Sequence, residues 1–517
     1  MSAPARGVRT PGARTTAARA VGALVLGAAA LVLGCAVGPS YHPVGVVPPD
    51  THFGSGADTG ATRAYFDSLA AARTADTVPL GPTPEPAVAP PGVAPPLTRA
   101  ADSLAGAAWL DILRDTTLVR LVETAVRQNR DVQTAVQRIR EFRAELGVAR
   151  SPLFPEVSVN ASASTNQVAV GAFPPTSFNA LRVTGDLAWE LDLWGRIRRG
   201  VEAARADLGV EEAAHRAVLL TLVSDVASSY LQLLELDQER TIAERTLASR
   251  RETLRLARSR FQQGVISELD VRQFEAEAAV PATTLATLER LRAQQAHQLS
   301  VLLGEAPAPI PRGGALNDAV AALVVPDSLP ASLLARRPDI AEAERAYAAA
   351  TARIGVAQAE RLPTVSITSS YGSQSPNTSN LFTGQTEVYQ VLGGVSLPLF
   401  TGGRISNQIE AARARAEQAR AQYEQSVLVG LREAGDALAA IGSARDQAAA
   451  QATQVEALRR ALALAAVRYR SGVASYLEVL DAQRSLFSAE LGLSQAQLLQ
   501  LTSAVQLYRA IGGAWNP

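Results

Sequence analysis

The sequence predicts a mainly α-helical protein with transmembrane β-structure. The protomer is internally duplicated and carries four β-strands and long coiled helices. Three observations lead there. Of 517 residues, 47% are hydrophobic but only 5% aromatic and 19% charged, which suits long helices packed through small and aliphatic side chains. Three sequence blocks recur at one offset of 208 residues, so the chain repeats a single unit. Each copy holds two segments in which apolar and polar residues alternate, the period of a strand with two unlike faces.

The elements follow in chain order. Residues 1–34 read as a signal peptide. Arg6, Arg9, Arg14 and Arg19 precede an apolar run from Ala20 to Gly34, too short for a comfortable bilayer span. The run ends at Cys35, the chain's one cysteine. A lone thiol after a small residue in this setting resembles a bacterial lipoprotein signal. Ala36 follows it, not Asp, which resembles outer-membrane sorting. A diacylglyceryl group on the Cys35 thiol and an acyl group on its freed amine would anchor firmly, where one chain binds only marginally. No other cofactor is expected. Residues 35–105 form a lipid-anchored arm, and 36–98 hold twelve of the 29 prolines. Proline removes backbone donors and favours extended chain.

The first repeat covers 106–304. It has a helix at 116–150, strands at 155–167 and 179–192, and long helices at 196–262 and 268–303. An equatorial linker spans 305–338. The second repeat, 339–517, has a helix at 339–361, strands at 363–373 and 387–399, and long helices at 404–470 and 476–511. The repeat is read from three blocks. Residues 146–162 match 354–370 at seven of seventeen positions. Gly195-Arg-Ile197 matches Gly403-Arg-Ile405, and Gly264-Val faces Gly472-Val.

In the strands, Val157, Val159 and Ala161 alternate with Ser158, Asn160 and Ser162. Leu181, Val183, Leu187, Trp189 and Leu191 share one face, as do Tyr389, Val391, Val395, Leu397 and Leu399. About ten residues suffice to cross a bilayer when tilted. In the helices, no proline occurs at 176–280 or 399–516, and a 196–262 helix would reach ~100 Å. Leu219, Val223, Val226, Tyr230 and Leu233 form a stripe at helical spacing. Alanines such as Ala411, Ala414 and Ala421 permit close coiled packing.

Four strands cannot close a membrane barrel, because open edges would leave backbone groups unpaired in lipid. Several chains must therefore pool their strands, and three chains would supply twelve. A soluble four-stranded sheet is the structural alternative. Other classes are excluded. Forty-nine basic residues balance 49 acidic ones, unlike the basic footprint of a nucleic-acid binder. One cysteine and four scattered histidines leave no thiolate or histidine metal site. There is no G-x-S-x-G, P-loop or H-E-x-x-H, so no enzyme is expected.

At this point the residues resemble the TolC/OprM-type outer-membrane efflux lipoproteins. Cys35-Ala-Val-Gly-Pro-Ser-Tyr41 is similar to that family's mature N-terminus. Val325-Pro-Asp-Ser-Leu-Pro through Arg336-Arg337-Pro338-Asp339-Ile-Ala-Glu342 is similar to its mid-chain hallmark. Leu399-Phe-Thr-Gly-Gly-Arg404 and Tyr469-Arg-Ser-Gly472 through Leu480-Asp481-Ala-Gln-Arg484 also match. The proline-rich insert within 44–98 is longer than the family's arm. The resemblance implies a homotrimer whose twelve-stranded β-barrel sits in the outer membrane on a periplasmic α-helical barrel. It implies passive efflux of small molecules handed over by a periplasmic adaptor and an inner-membrane RND-type pump. A type I protein-secretion duct is an alternative. A lipid-anchored coiled-coil tether without a pore is another, of a different class.

The same resemblance assigns roles. Gly264, Val265, Ser267, Gly472, Val473 and Ser475 would form the periplasmic tips that meet the adaptor, though each is also read as a plain helix–helix turn. Leu477, Glu478, Asp481 and Arg484, with Asp270 from the first repeat, would form the periplasmic gate. Residues 477, 481 and 484 share a helical face. In a trimer each carboxylate becomes a ring of three that favours cations and could pair with Arg484. Asp481 corresponds to Gln273, so the second repeat would dominate. An ordinary solvated acidic face is the alternative.

Overall fold

The computed structural model describes residues 36–41, 52–54, 115–168, 176–322, 328–330 and 336–513. The signal segment, Cys35 and nearly all of the proline-rich stretch lie outside the described residues. The elements run β1 (His52–Gly54), α1 (Thr116–Gln128), α2 (Arg130–Arg150), β2 (Glu156–Val168), β3 (Thr176–Leu191), α3 (Arg196–Gln262) and α4 (Glu268–Leu302). They continue with α5 (Leu316–Ala322), β4 (Ser328–Pro330), α6 (Pro338–Ala359), β5 (Thr364–Ser375), β6 (Glu387–Ser396), α7 (Arg404–Arg470) and α8 (Tyr476–Ala510). Both long-helix pairs have 67 and 35 residues, and all four ends repeat at the 208 offset.

The chain forms two compact units. The first, made of Met1–Pro43, Ile139–Glu211 and Ala343–Tyr423, carries an antiparallel sheet of order β2-β3-β5-β6. Its register sorts the side chains. Val157 pairs with Leu187, Trp189 with Ile367, Leu191 with Val365, and Tyr371 with Tyr389. On the other face Ser158 pairs with Asp186, Asp186 with Ser370, and Ser370 with Gln390. One face is therefore apolar and the other polar. Val157, Val159, Tyr389 and Val395 are exposed. β2 and β6 each pair on one side only, so the protomer's sheet has two open edges. The strand read at 387–399 ends at Ser396. Pro398 has no N–H for a ladder, and Leu397 and Leu399 lie beyond the strand, exposed.

At the sheet's helical end, Asp192 caps α3. It accepts from the backbone N–H groups of Ile197 at 3.0 Å and Arg198 at 2.8 Å. Residues 36–41 are tied into this unit. Val37 N donates to the Trp194 carbonyl, and Arg199 donates to the carbonyls of Val37 and Gly38. Tyr41 Oη donates to Glu344 at 2.8 Å. Gly38 is obligatory here. It has φ +110°, and a Cβ would lie 2.4 Å from Gly355 Cα. The alanine seam differs from the sequence reading. Ala411, Ala414 and Ala421 are exposed, whereas Ala412 and Ala416 are buried against Ala350 and Ile354. The stripe Ile405, Ile409, Ala412, Ala416 advances by four and three, so the true seam is one face away.

The second unit, Val44–Arg138, Glu212–Glu342 and Glu424–Pro517, is helical. Leu219, Val223, Val226, Tyr230 and Leu233 of α3 are all buried, packed with α1, α4, α5, α7 and α8. β1 pairs with β4, so the arm contributes a short strand that proline content gave no reason to expect. The helix read at 116–150 is two helices. Asn129, at φ −60° and ψ 136°, breaks the path. Its side chain caps α2 by accepting from Asp131 and Val132, and donates to the Leu302 carbonyl at 3.0 Å. The second repeat does the same with a different residue. Arg337 donates to the Ala510 carbonyl at 2.7 Å.

Candidate functional site

The sites marked in the sequence lie where the long helices reverse, in the second unit. Residues 263–267 join α3 to α4, and residues 471–475 join α7 to α8. Each reversal turns on a left-handed glycine, Gly264 and Gly472, both at φ +73°. A Cβ on either would meet nothing within 4 Å, so the requirement is the dihedral and not space. The amide of Val265 donates to the Arg260 carbonyl, and Val473 to Arg468, which closes the helix ends. Val265, Leu269, Val473 and Leu477 are exposed apolar side chains, two on each reversal and 208 residues apart. The two reversals adjoin. Arg260 donates to Tyr469 Oη at 2.6 Å, and Tyr476 packs between Tyr469 and Phe274, with ring centroids 5.1 and 4.1 Å away.

The two starts differ. Ser267 and Asp270 form a capping box. Ser267 Oγ accepts from Asp270 N at 3.2 Å, and Asp270 Oδ2 accepts from Ser267 N at 2.9 Å. Asp270 thereby serves the N-terminus of α4 within the protomer. At the equivalent place Ser475 makes no side-chain cap, and Glu478 pairs with Arg468 at 3.3 Å. Asp481 is exposed. Within the protomer Arg484 pairs with neither Glu478 nor Asp481 among the described residues. Its guanidinium binds Glu277 of α4, donating from Nε at 2.7 Å and pairing through Nη2. That contact raises its pKa most, with a smaller contribution from Asp481.

Glu277 leads to residues that the sequence did not mark. Its side chain is 6% exposed, and it faces Arg250 of α3, whose side chain is 3% exposed. Pro281 sits inside α4 and has no N–H to give the Glu277 carbonyl one turn back. Arg250 Nη1 takes that orphan, donating to it at 2.7 Å. The same nitrogen lies 3.1 Å from Glu277 Oε2, but Oε2 accepts no hydrogen bond, so that contact is charge alone. Burial lowers the Arg250 pKa, and Glu277 opposes the shift. Further along, Glu490 of α8 accepts from Arg245 of α3 at 2.6 Å and from Arg459 of α7 at 2.9 Å. Carboxylates on α4 and α8 thus tie all four long helices together. No local signal marks them, because each partner is at least 27 residues away.

The model of a family described as outer membrane efflux protein matches residues 121–305 and 329–513. Those two spans are themselves 208 residues apart and cover well over half of the chain. The chain belongs to the outer membrane efflux protein family. Its similarity to curated members spans about four fifths of the chain. It is 36% identical to the solvent efflux pump outer membrane protein SrpC of Pseudomonas putida, over 78% of this chain and 87% of that one. It is 31% identical to the cation efflux system protein CusC of Escherichia coli O6:H1, over 81% and 91%. The solved outer-membrane channel OprN superposes with a TM-score of 0.73 at 32% identity, covering 80% of this chain and 93% of that chain. The protein is an outer-membrane efflux protein with the duplicated helix-and-strand plan of these channels. Among the described residues no group of three or more histidine, cysteine or acidic side chains is placed to hold a metal.

Proposed function

We propose that the protein is the outer-membrane channel of a tripartite efflux system and conducts small molecules passively to the exterior. The observation that carries this reading is the sheet of the first unit. It has one apolar face, one polar face and two open edges. Such a sheet is unstable alone in lipid. Three copies would close a twelve-stranded barrel, with the polar row of Ser158, Asp186, Ser370 and Gln390 towards water. A coiled-coil tether has no use for such strands. Energy would come from an RND-type inner-membrane pump. The pump would hand its cargo through a periplasmic adaptor docking on the tips, where the exposed Val265 and Val473 offer apolar contact. Glu478 and Asp481 would ring the periplasmic aperture and favour cations. A covalent lipid on Cys35 would hold the N-terminus in the outer membrane. Relatives include solvent and cation efflux proteins, and this chain's cargo would fall among such small toxic compounds, with a type I secretion duct as second reading.

The test is a deletion strain profiled against solvents, antibiotics and metal ions. Sensitivity of the deletion strain that the wild-type gene reverses supports the reading. Unchanged resistance with loss of a secreted protein instead supports the secretion duct. Mass spectrometry of the mature N-terminus checks the anchor: the Cys35→Ser variant should lose the lipid mass, and an unmodified wild-type cysteine would exclude it.

A further inference from the structure

Beyond the gate and the tips, the helical unit contains a cavity of about 280 Å³ between α3, α7 and α8. Its wall includes Arg245, Ser249, Arg250, Arg459, Gln483 and Glu490. Three guanidiniums therefore face one carboxylate. That carboxylate, 6% exposed, is already divided: Oε2 accepts from Arg245 and Oε1 from Arg459. The third cation, Arg250, draws on Glu277, which it shares with Arg484. Arg250 Nε has no hydrogen-bond partner, and neither has Gln483 Oε1. Guanidinium carries five N–H donors in a planar fork. Glu490 takes one from Arg245 and two from Arg459. The side chains of Arg245 and Arg459 are 61% and 52% exposed, so their remaining donors are open to a solute.

We propose that this cavity is a binding site for a small oxyanion, a phosphate-like or carboxylate group held between Arg245 and Arg459 beside Arg250. An excess of cations around one carboxylate, with Arg250 buried and Arg245 and Arg459 at the open side, lowers the cost of a second negative charge. Arginine forks match the oxygens of such groups in pairs. The anion would compete with Glu490 for the same two arginines. The packing of α3 against α7 and α8 would then respond to it.

The test uses the full-length protein in detergent and isothermal titration with sodium phosphate and with sodium acetate, each against sodium chloride at equal ionic strength. Saturable binding of one probe is expected, and the preferred probe assigns a tetrahedral oxyanion or a carboxylate. Arg245→Gln and Arg459→Gln should each weaken it about tenfold or more, the loss of one charge-assisted hydrogen bond. Glu490→Gln, which keeps the shape and removes the competing charge, should tighten it. Responses no larger than chloride's overturn the proposal. So does an affinity unchanged in Glu490→Gln, even if neither arginine variant folds.

Discussion

The contact between Arg250 and Glu277 gives a prediction that sequence spacing alone could not. Pro281 leaves the Glu277 carbonyl without its helical donor, and Arg250 supplies one at 2.7 Å. Consider Arg250→Met, which keeps the stem and removes the guanidinium. It orphans that buried carbonyl, at about 1–3 kcal/mol. It also leaves the 6%-exposed Glu277 carboxylate with only the exposed Arg484. Breaking a buried pair costs about 3–5 kcal/mol, and since the two losses share one side chain they overlap. About 3–5 kcal/mol in total is expected. Pro281→Ala then restores an N–H to the carbonyl. In that background Arg250→Met should cost about 1–2 kcal/mol less, because one of its two losses is already covered. Local opening free energies of 245–257 and 270–285, from amide hydrogen exchange on the four proteins, measure this cycle. An equal penalty in both backgrounds would show that the proline and the arginine are not coupled, and the reasoning would fail.

Three further outcomes follow from the geometry. Gly304 has φ +76°, and a Cβ there would lie 2.4 Å from the Gln128 carbonyl oxygen. Gly304→Ala should destabilise by about 2–5 kcal/mol, the left-handed penalty plus overpacking. Gly147→Ala, in α2 with nothing within 4 Å, should stabilise by about 0.5–1 kcal/mol; thermal unfolding of both would expose an error in either sign. Glu235 is buried one turn from Glu239, and burial first, then the hydrogen bond and charge of Glu239, raise its pKa from 4.5 to about 8. The folded state then holds a proton that the unfolded state releases. Its contribution is fully present below pH 4.5 and is lost as pH rises through 8. The slope is at most about 1.4 kcal/mol per pH unit. Glu235→Gln should flatten the stability profile across that window, and an unchanged slope would rule the explanation out.

What was legible in the sequence was what is written in local periods. The alternation of Val157, Val159, Leu187 and Trp189 marks strands because a two-faced sheet demands it. Gly264 and Gly472 mark reversals because few other residues take φ +73°. The outer-membrane efflux family was legible because its motifs are short and contiguous, such as Arg336-Arg337-Pro338-Asp339. Contacts between distant segments were not. Asn129 sits within an unbroken helical pattern; beside its local cap on α2, its hold on the Leu302 carbonyl 173 residues away fixes the break, and no local signal shows that contact. Within the protomer Arg484 meets Glu277, 207 residues earlier, a contact that its helical face with Asp481 does not announce. The buried alanines of α7 are Ala412 and Ala416 and not Ala411 and Ala414, because alanines fill several faces of the helix and packing against Ala350 and Ile354 selects one.

The central claim is a conducting pore, and single-channel recording of the purified protein in planar bilayers tests it most directly. Discrete conductance steps with a preference for cations are expected, and Asp481→Ala should raise the resting conductance or weaken that preference. Insertion without discrete steps, or an Asp481→Ala variant matching the wild type in both conductance and ion preference, would contradict the account.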